Sequence, residues 1–296
     1  PDLMEWKSKG RFYEILGKRI FTTDEGNSSE TLVILHGYPS CSYDYFKVLP
    51  LLAKKYRVIV HDHPGFGLSE KPLNYSYSLI EQADVALALW QKLGLKEVHL
   101  LAHDYGTSVA TEIIARYNLG YEPIKLKTIT LGNGSMHIEM ARLQWTQKLL
   151  RSKFWGPILV QFSSQWLFNR SFTKLWFDKS KIDQKEFDVL WEMMQHDPQG
   201  MKVFPAISRY LLEREKFWHR WVGGLHRTDK HINLLWADKD PVAIVKMAYA
   251  LHDKIPRNSL KIIPDVGHYP MLEAPETYAE SLIKMIETSK KNFFPN

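Results

Sequence analysis

The chain has 296 residues, enough to bury the core of one large domain, and no apolar run approaches the roughly 20 residues that span a bilayer. The Lys and Arg residues behind the net charge of +6 form no long basic run, which argues against a nucleic-acid partner. The lone Cys41 cannot form an internal disulfide, and the first residues lack the apolar stretch of a signal peptide. We therefore expect a structural thiol in a cytoplasmic protein.

Short apolar runs alternate with helical spacing in the first half of the chain. After an opening pair of strands at 11–23, the runs predict strands at 31–37, 57–62, 98–103 and 126–133. The spacing predicts helices at 42–56, 78–94 and 106–117, the first of them shortened or kinked by Pro50. Ser78 and Glu81 have the spacing of a capping box at the start of the second helix. This alternation predicts a mostly parallel α/β sheet flanked by helices on both faces.

The alternation stops near residue 135 and resumes near residue 227. The part between contains helical patterns and seven Trp residues, most of which we expect to pack it against the rest of the chain. The later predicted elements are strands at 232–238 and 259–265, a helix ending near 255 and a helix at 276–290. We predict a core domain of residues 1–134 and 227–296, and a helical cap of residues 135–226 inserted after the strand that follows the third helix. An insertion at this place covers the crevice where open α/β sheets bind ligands.

Three residues that suit a catalytic triad follow predicted strands. Asp104 lies in LLAHDYG, Asp240 in ADKDPV and His268 in DVGHYP. Asp238 precedes Asp240 by two residues and is the alternative acid. Asp104 stands where the pattern G-x-S-x-G carries a serine in many hydrolases.

Four motifs accompany these residues in chain order: HGYP (36–39), DHPGFGLSEKP (62–72), HDYG (103–106) and GHYPMLEAPE (267–276). Together they resemble the α/β-hydrolase superfamily, in which nucleophile, acid and histidine occur in this order. With an aspartate nucleophile, the chain resembles the branch that contains epoxide hydrolases and haloalkane dehalogenases. The resemblance covers nearly the whole chain and is weakest in the cap.

A carboxylate suits one kind of electrophile. It is ionised at neutral pH and needs no base to become a nucleophile. Attack on an ester carbonyl would form a reactive anhydride, whereas attack on a saturated carbon forms a stable alkyl ester. Asp104 therefore favours a substrate with an electrophilic sp³ carbon and a leaving group.

The resemblance implies roles for the other residues. His268 would be the general base for a water molecule, and Asp240 would orient His268. We prefer Asp240 to Asp238 because Asp240 begins the sequence Asp-Pro-Val, as in the family motif. The backbone N–H groups of Tyr38 and Tyr105 would form the oxyanion hole, and the bond before Pro39 is expected to be cis. No cofactor is implied.

The leaving group separates two activities. Haloalkane dehalogenases usually carry Trp after the nucleophile and often Asn at the position of Tyr38, and this chain has Tyr105 and Tyr38 there. Epoxide hydrolases need an acid for the ring oxygen, and Tyr210 lies where a cap tyrosine is found. Its partner is not evident, although His137 and His196 are candidates. We expect an epoxide hydrolase first and a haloalkane dehalogenase second.

Non-catalytic interpretations apply to the whole chain and to several residues. The chain could be a non-catalytic binding or interaction protein that keeps the fold, although retention of all three triad residues argues against it. His36 and His103 are expected to hold backbone geometry, and Asp62 to hold its loop. The sequence HDH at 61–63 is not expected to bind a metal, because adjacent side chains point in different directions. The predicted partners are a small apolar molecule and water, and the oligomeric state is left open.

Overall fold

A computed structural model describes residues 1–292. Its eight-stranded sheet has the order β1-β2-β4-β3-β5-β6-β7-β8, and only the pairs β1–β2 and β2–β4 are antiparallel among the described residues. The strands are β1 (Gly10–Ile15), β2 (Lys18–Glu25), β3 (Thr31–Leu35), β4 (Arg57–His61), β5 (Glu97–His103), β6 (Lys125–Gly132), β7 (Ile232–Ala237) and β8 (Asn258–Ile263). The predicted fold class is confirmed.

Helices cover both faces of the sheet and form the segment between β6 and β7. The α-helices are α1 (Leu3–Ser8), α2 (Leu49–Leu52), α3 (Leu79–Lys92), α4 (Tyr105–Asn118), α5 (Trp145–Leu150), α6 (Trp155–Gln161), α7 (Gln165–Thr173), α8 (Gln184–Gln195), α9 (Phe204–Ser208), α10 (Tyr210–Lys216), α11 (Trp218–Arg227), α12 (Val245–Lys254), α13 (Pro270–Glu273) and α14 (Pro275–Ser289). Short 3₁₀ helices lie at Ser42–Tyr45, Ile138–Met140, Lys179–Lys181, Gly200–Val203 and Lys290–Asn292.

Two local predictions differ from the structure. The helix expected at 42–56 is a 3₁₀ turn followed by the four-residue α2, because Pro50 lacks an N–H and is tolerated only in a first helical turn. The capping box at Ser78 is incomplete. Ser78 Oγ accepts from the Ile80 N–H, but the Glu81 carboxylate accepts from the Ser76 hydroxyl instead of turning back to the cap. Helix α1 was not predicted.

The core consists of the central strands and the helices against them. Every residue of β3 and β7 is buried, as expected for parallel strands covered on both faces. Burying one such Leu, Ile or Val side chain contributes about 1.5–3 kcal/mol. The parallel register brings the carboxyl ends of β5 to β8 to one edge of the sheet.

Polar contacts attach the second half of the helical segment between β6 and β7, which we call the cap, to the rest of the chain. Glu112, on α4, accepts hydrogen bonds from Arg220 and from the Trp221 indole, and Asn118 donates to the Gly224 carbonyl at 3.0 Å. Arg214 on α10 is buried and donates to Ser108 at 2.6 Å. Helix α4 begins at the turn that holds Asp104, which we call the elbow. The same helix therefore also anchors α10 and α11.

Candidate active site

Asp104 lies on a sharp turn between β5 and α4, with φ 50° and ψ −118°. Few non-glycine residues adopt positive φ, and strain of this kind occurs at functional sites. Two glycines allow the turn. A Cβ on Gly106 would lie 2.0 Å from the Leu35 carbonyl oxygen, and a Cβ on Gly37 would lie 2.8 Å from Asp104 Cβ. The Asp104 carboxylate is thereby held against the HGYP loop.

The structure brings Asp104, His268 and Asp240 together. His268 Nδ1 lies 2.5 Å from Asp240 Oδ2, and His268 Nε2 lies 3.6 Å from Asp104 Oδ1. The imidazole therefore stands between two carboxylates, with one ring nitrogen facing each. This is the arrangement in which a base is oriented by an acid and faces the nucleophile.

Backbone N–H groups and one amide orient Asp240. Its Oδ1 accepts from Val242 and Ala243 N–H at 2.8 and 3.0 Å, and its Oδ2 accepts from Asn133 Nδ2 at 3.0 Å. Asn133 also exchanges hydrogen bonds with the Ala237 backbone. Asn133 was not predicted as a site residue, and its only signal was its position at the end of the strand predicted at 126–133.

Asp238 has a different environment. Its Oδ1 accepts from the Asp265 N–H at 2.7 Å, and its Oδ2 lies 3.4 Å from Lys239 Nζ. It joins the loops after β7 and β8. The structure places Asp240, and not Asp238, against His268.

The charges around His268 determine its protonation. Burial alone would lower the pKa of His268, but the charge of Asp240 and the contacts with Asp104 and Asp240 outweigh burial and raise the pKa to about 10. At neutral pH the resting site therefore holds an imidazolium between two carboxylates. Loss of the charge on Asp104 would lower the pKa of His268 again.

The backbone N–H groups of Tyr38 and Tyr105 are the predicted oxyanion-hole donors. Tyr105 directly follows Asp104, and Tyr38 directly follows Gly37, whose backbone lies close to Asp104. Neither N–H group donates a hydrogen bond to another group within residues 1–292. The peptide bond between Tyr38 and Pro39 is cis, as predicted. Two unused N–H donors beside a carboxyl group suit an oxyanion hole.

Two buried histidines hold backbone around the elbow, as predicted. His36 Nδ1 faces the Gly37 carbonyl at 2.8 Å, and its Nε2 accepts from the His63 N–H at 3.0 Å. His103 Nε2 lies 2.7 Å from the His268 carbonyl oxygen. Burial lowers the pKa of His36 to about 3 and that of His103 to about 4, so both rings are neutral.

A mostly apolar pocket opens from Asp104 into the cap, and its space, including the open mouth, is about 1000 Å³. Tyr38, Asp104 and His268 line its core side. Its cap side includes Trp145, Leu150, Leu159, Phe162, Leu167, Phe168, Phe172, Trp191, Met194 and Phe204. A pocket with this lining suits a small apolar molecule.

The candidate cap donors lie outside this lining. The Tyr210 ring is buried behind Tyr38 and Tyr105, with ring centroids 5.7 and 4.9 Å apart. His137 contacts Glu139 at 2.7 Å, and neither His137 nor His196 lines the pocket. The phenol that does line it is Tyr38, whose hydroxyl lies 2.8 Å from Ser208 Oγ. From the sequence, the Tyr38 hydroxyl was not predicted as a proton donor.

The remaining polar candidates have structural contacts. Asp62 accepts from the Ser42 and Leu68 N–H groups at 2.7 and 2.8 Å, so its predicted role in holding the loop is confirmed. Cys41 is buried, and its thiol lies 3.2 Å from Met193 Sδ. No group of three or more His, Cys, Asp or Glu side chains within residues 1–292 could hold a metal ion. Over the same range, no helix has the length and apolar character to cross a membrane.

Comparisons with known proteins agree with this architecture. A family model described as the alpha/beta hydrolase fold matches residues 30–275. The protein named LipZ of Mycobacterium tuberculosis is 34% identical over 286 residues, which cover 97% of this chain and 98% of LipZ. The mesoderm-specific transcript homolog protein of Homo sapiens is 34% identical over 298 residues, which cover 97% of this chain and 89% of that protein.

A solved structure supports the fold independently. The haloalkane dehalogenase DbeA of Bradyrhizobium elkani superposes with a TM-score of 0.81 at 18% identity, over 96% of this chain and 99% of that chain. At this identity the likeness concerns the fold alone. With the family match over most of the chain and the two relatives above 30% identity, the protein belongs to the alpha/beta hydrolase fold family.

Proposed function

We propose that this protein is a cofactor-free hydrolase that forms a covalent alkyl ester on Asp104, with an epoxide as its substrate. The observation that carries the proposal is the Asp104 carboxylate on the strained elbow, 3.6 Å from His268 Nε2 and at the base of an apolar pocket. A carboxylate there is a ready nucleophile for a saturated carbon.

In the first step, an Asp104 oxygen attacks an epoxide carbon. The C–O bond of the ring breaks, and its electron pair moves to the ring oxygen. This oxygen takes a proton from a phenol or from water. Tyr38 lines the pocket and Tyr210 packs against the Tyr38 ring, and burial raises the pKa of both, so both remain protonated donors.

In the second step, the ester on Asp104 is hydrolysed. His268 takes a proton from water, and the water oxygen attacks the ester carbonyl. The N–H groups of Tyr38 and Tyr105 stabilise the resulting oxyanion. The intermediate collapses to the protonated Asp104 carboxyl group as the departing alkoxide takes the proton from His268. The carboxyl proton then passes to His268, which restores the resting carboxylate and imidazolium. The sum is epoxide plus water giving a diol.

The electrostatics of His268 suit this sequence of steps. In the resting site two carboxylates keep it protonated. Esterification removes the charge of Asp104, which lowers the pKa of His268 and releases a proton as the ring oxygen gains one. The base is therefore formed when the second step needs it.

A second candidate function is haloalkane dehalogenation. Trp145 and Trp191 line the pocket, and neither indole N–H donates a hydrogen bond within residues 1–292. Such donors could bind a departing halide. Against this function, the side chain of Tyr105, which follows the nucleophile, packs on Phe66 with ring centroids 4.9 Å apart and does not line the pocket. A non-catalytic role is the third possibility.

Intact-protein mass of the His268→Gln variant distinguishes these functions. Without the base, ester formation should continue while hydrolysis slows by about 10²–10⁴-fold, so the adduct should accumulate. Incubation with a panel of epoxides should add the mass of the whole epoxide, and digestion should map it to Asp104. Incubation with bromoalkanes is the parallel arm.

The outcomes separate the candidates. An alkyl gain with bromide release, and none from epoxides, would assign the protein as a dehalogenase. Absence of any adduct, together with no turnover of epoxides, bromoalkanes or esters by the wild type, would support the non-catalytic role. The Asp104→Ala, His268→Gln double variant is the control for adducts at other carboxylates.

Replacing Tyr210 with Phe tests the ring-opening donor. If Tyr210 supplies the proton, Tyr210→Phe should slow adduct formation from epoxides by about 10²-fold and leave bromoalkanes unaffected, because a halide needs no proton. The rates are measured by mass in the His268→Gln background. Tyr38→Phe, which removes the phenol that lines the pocket, is the comparison. Equal losses with both substrate classes would restrict Tyr210 to packing.

A further inference from the structure

Helices α5 to α7 expose large apolar side chains at the mouth of the pocket. The exposed fractions are 58% for Trp145, 68% for Phe154, 54% for Trp155, 70% for Phe162 and 64% for Trp166. The sequence analysis expected most cap Trp residues to be packed. Trp176, Trp191 and Trp221 are buried, but Trp145, Trp155 and Trp166 face solvent. Several large exposed apolar side chains on neighbouring helices are typical of an interaction site.

Helix α6 has its apolar face turned outward. Trp155, Ile158 and Phe162 recur at the spacing of one helical face and are all exposed, whereas Gly156 on another face is buried. Phe154 extends this surface, with its ring centroid 5.1 Å from that of Trp155. An amphipathic helix that packs only on its own protein would have the opposite orientation.

The same segment is strongly basic. Residues 141–177 contain six Lys and Arg residues and no Asp or Glu. The net charge of the whole chain is +6, so the remaining basic and acidic residues are equal in number and the excess resides in this segment. Lys148, Lys153, Arg170 and Lys174 are exposed. Arg170 lies over the exposed Trp166 ring, 5.4 Å from its centroid. The excess of basic over acidic residues, which looked scattered in the sequence, therefore lies in the segment that carries the exposed aromatic side chains.

We propose that this surface, formed by helices α5 to α7 and their connections, docks on an anionic lipid bilayer. Exposed Trp and Phe side chains enter the boundary between headgroups and acyl chains, and Lys and Arg around them bind anionic headgroups. A second protein of ordinary surface composition would not match both the aromatic face and the unbalanced positive charge.

Docking in this orientation would connect the bilayer to the active site. Trp145, Phe162 and Leu167 are exposed at the surface and also line the pocket that ends at Asp104 and His268. An apolar molecule dissolved in the bilayer could therefore enter the pocket without crossing water. The docking itself does not depend on the chemistry proposed for Asp104.

Vesicle sedimentation with the full-length protein tests the proposal. We expect binding to vesicles of equimolar phosphatidylcholine and phosphatidylglycerol, weaker binding to phosphatidylcholine alone, and loss of binding as salt is raised. Each Lys removed should weaken partitioning about fivefold, so Lys148→Gln, Lys153→Gln and Lys174→Gln together should weaken it on the order of 100-fold. The matched control changes Lys246, Lys261 and Lys284, exposed lysines of the core, to Gln.

A second pair of variants tests the aromatic surface. Phe154→Ala with Trp155→Ala should weaken binding at least about tenfold, whereas Tyr121→Ala with Tyr249→Ala, exposed aromatics outside the cap, should not. Asp104→Ala should bind vesicles like the wild type, so failure of the enzymatic proposal would not affect this result. Wild-type protein that stays in the supernatant at low salt, or cap variants that bind as tightly as wild type, would overturn the proposal. So would a dimer in sedimentation equilibrium that the cap variants convert to monomer, since a second copy would then occupy the surface.

Discussion

Replacement of Asp104 by Ala is expected to lower kcat/KM by at least about 10⁴-fold on whichever substrate the wild type turns over, because the covalent route is lost. The loss should be in kcat more than in KM, since apolar residues form most of the pocket. Ala keeps the Cβ that packs at Gly37, so the elbow should survive the change. Steady-state kinetics with the substrate identified by adduct formation give the measurement.

Isotope labelling gives an independent readout of the same prediction. In a single turnover in H₂¹⁸O, water should place one heavy oxygen in the peptide that contains Asp104, because it attacks the ester carbonyl of that side chain. Unlabelled Asp104 with labelled product would indicate direct attack of water on the substrate. Wild-type rates in the Asp104→Ala protein would contradict the nucleophilic role altogether. Unchanged circular dichroism would show that the variant is folded.

Asp240→Asn is expected to reduce kcat on the order of 10³–10⁴-fold. The Asn oxygen can keep the hydrogen bonds from Val242 and Ala243, but its NH₂ would then face the N–H of His268 and the amide of Asn133. Two donors would oppose each other, and His268 would change tautomer or turn away. The matched control is Asp238→Asn, since Asp238 has no contact with His268 and should retain activity.

The loss of stability in Asp240→Asn should depend on pH in a defined direction. Asp240 and Asp104 together raise the pKa of His268 in the folded protein to about 10, so the contribution of Asp240 to stability through His268 is complete below about pH 6.5 and is lost as pH rises through 10. The difference in Tm between wild type and Asp240→Asn should therefore be larger near pH 6 than near pH 10. The acid limb of the pH–kcat profile should also move to lower pH, because the neutral imidazole forms more easily. A pH-independent Tm difference would show that Asp240 stabilises the fold only through its backbone contacts.

The sheet was predictable because its signals are local. Apolar runs such as 31–35 and 232–237 are buried on both faces, and that environment requires continuous apolar sequence. The elbow was predictable from the sequence HDYG. Its glycine, Gly106, is required because the Leu35 carbonyl leaves no room for a side chain. The α2 region was predicted less well, because Pro50 is compatible with either a kinked helix or a new start.

The sequence by itself determined the α/β alternation and the positions of Asp104, Asp240 and His268 after strands. Only the tertiary structure decided which aspartate faces His268, because Asp238 and Asp240 lie two residues apart and differ in loop path rather than in chemistry. It also decided that Asn133 orients Asp240, that Tyr210 lies behind Tyr38, and that α6 turns its aromatic face outward. These are relations between side chains from distant parts of the chain. Periodicity shows which residues share a face, but packing decides whether that face meets the core or the solvent.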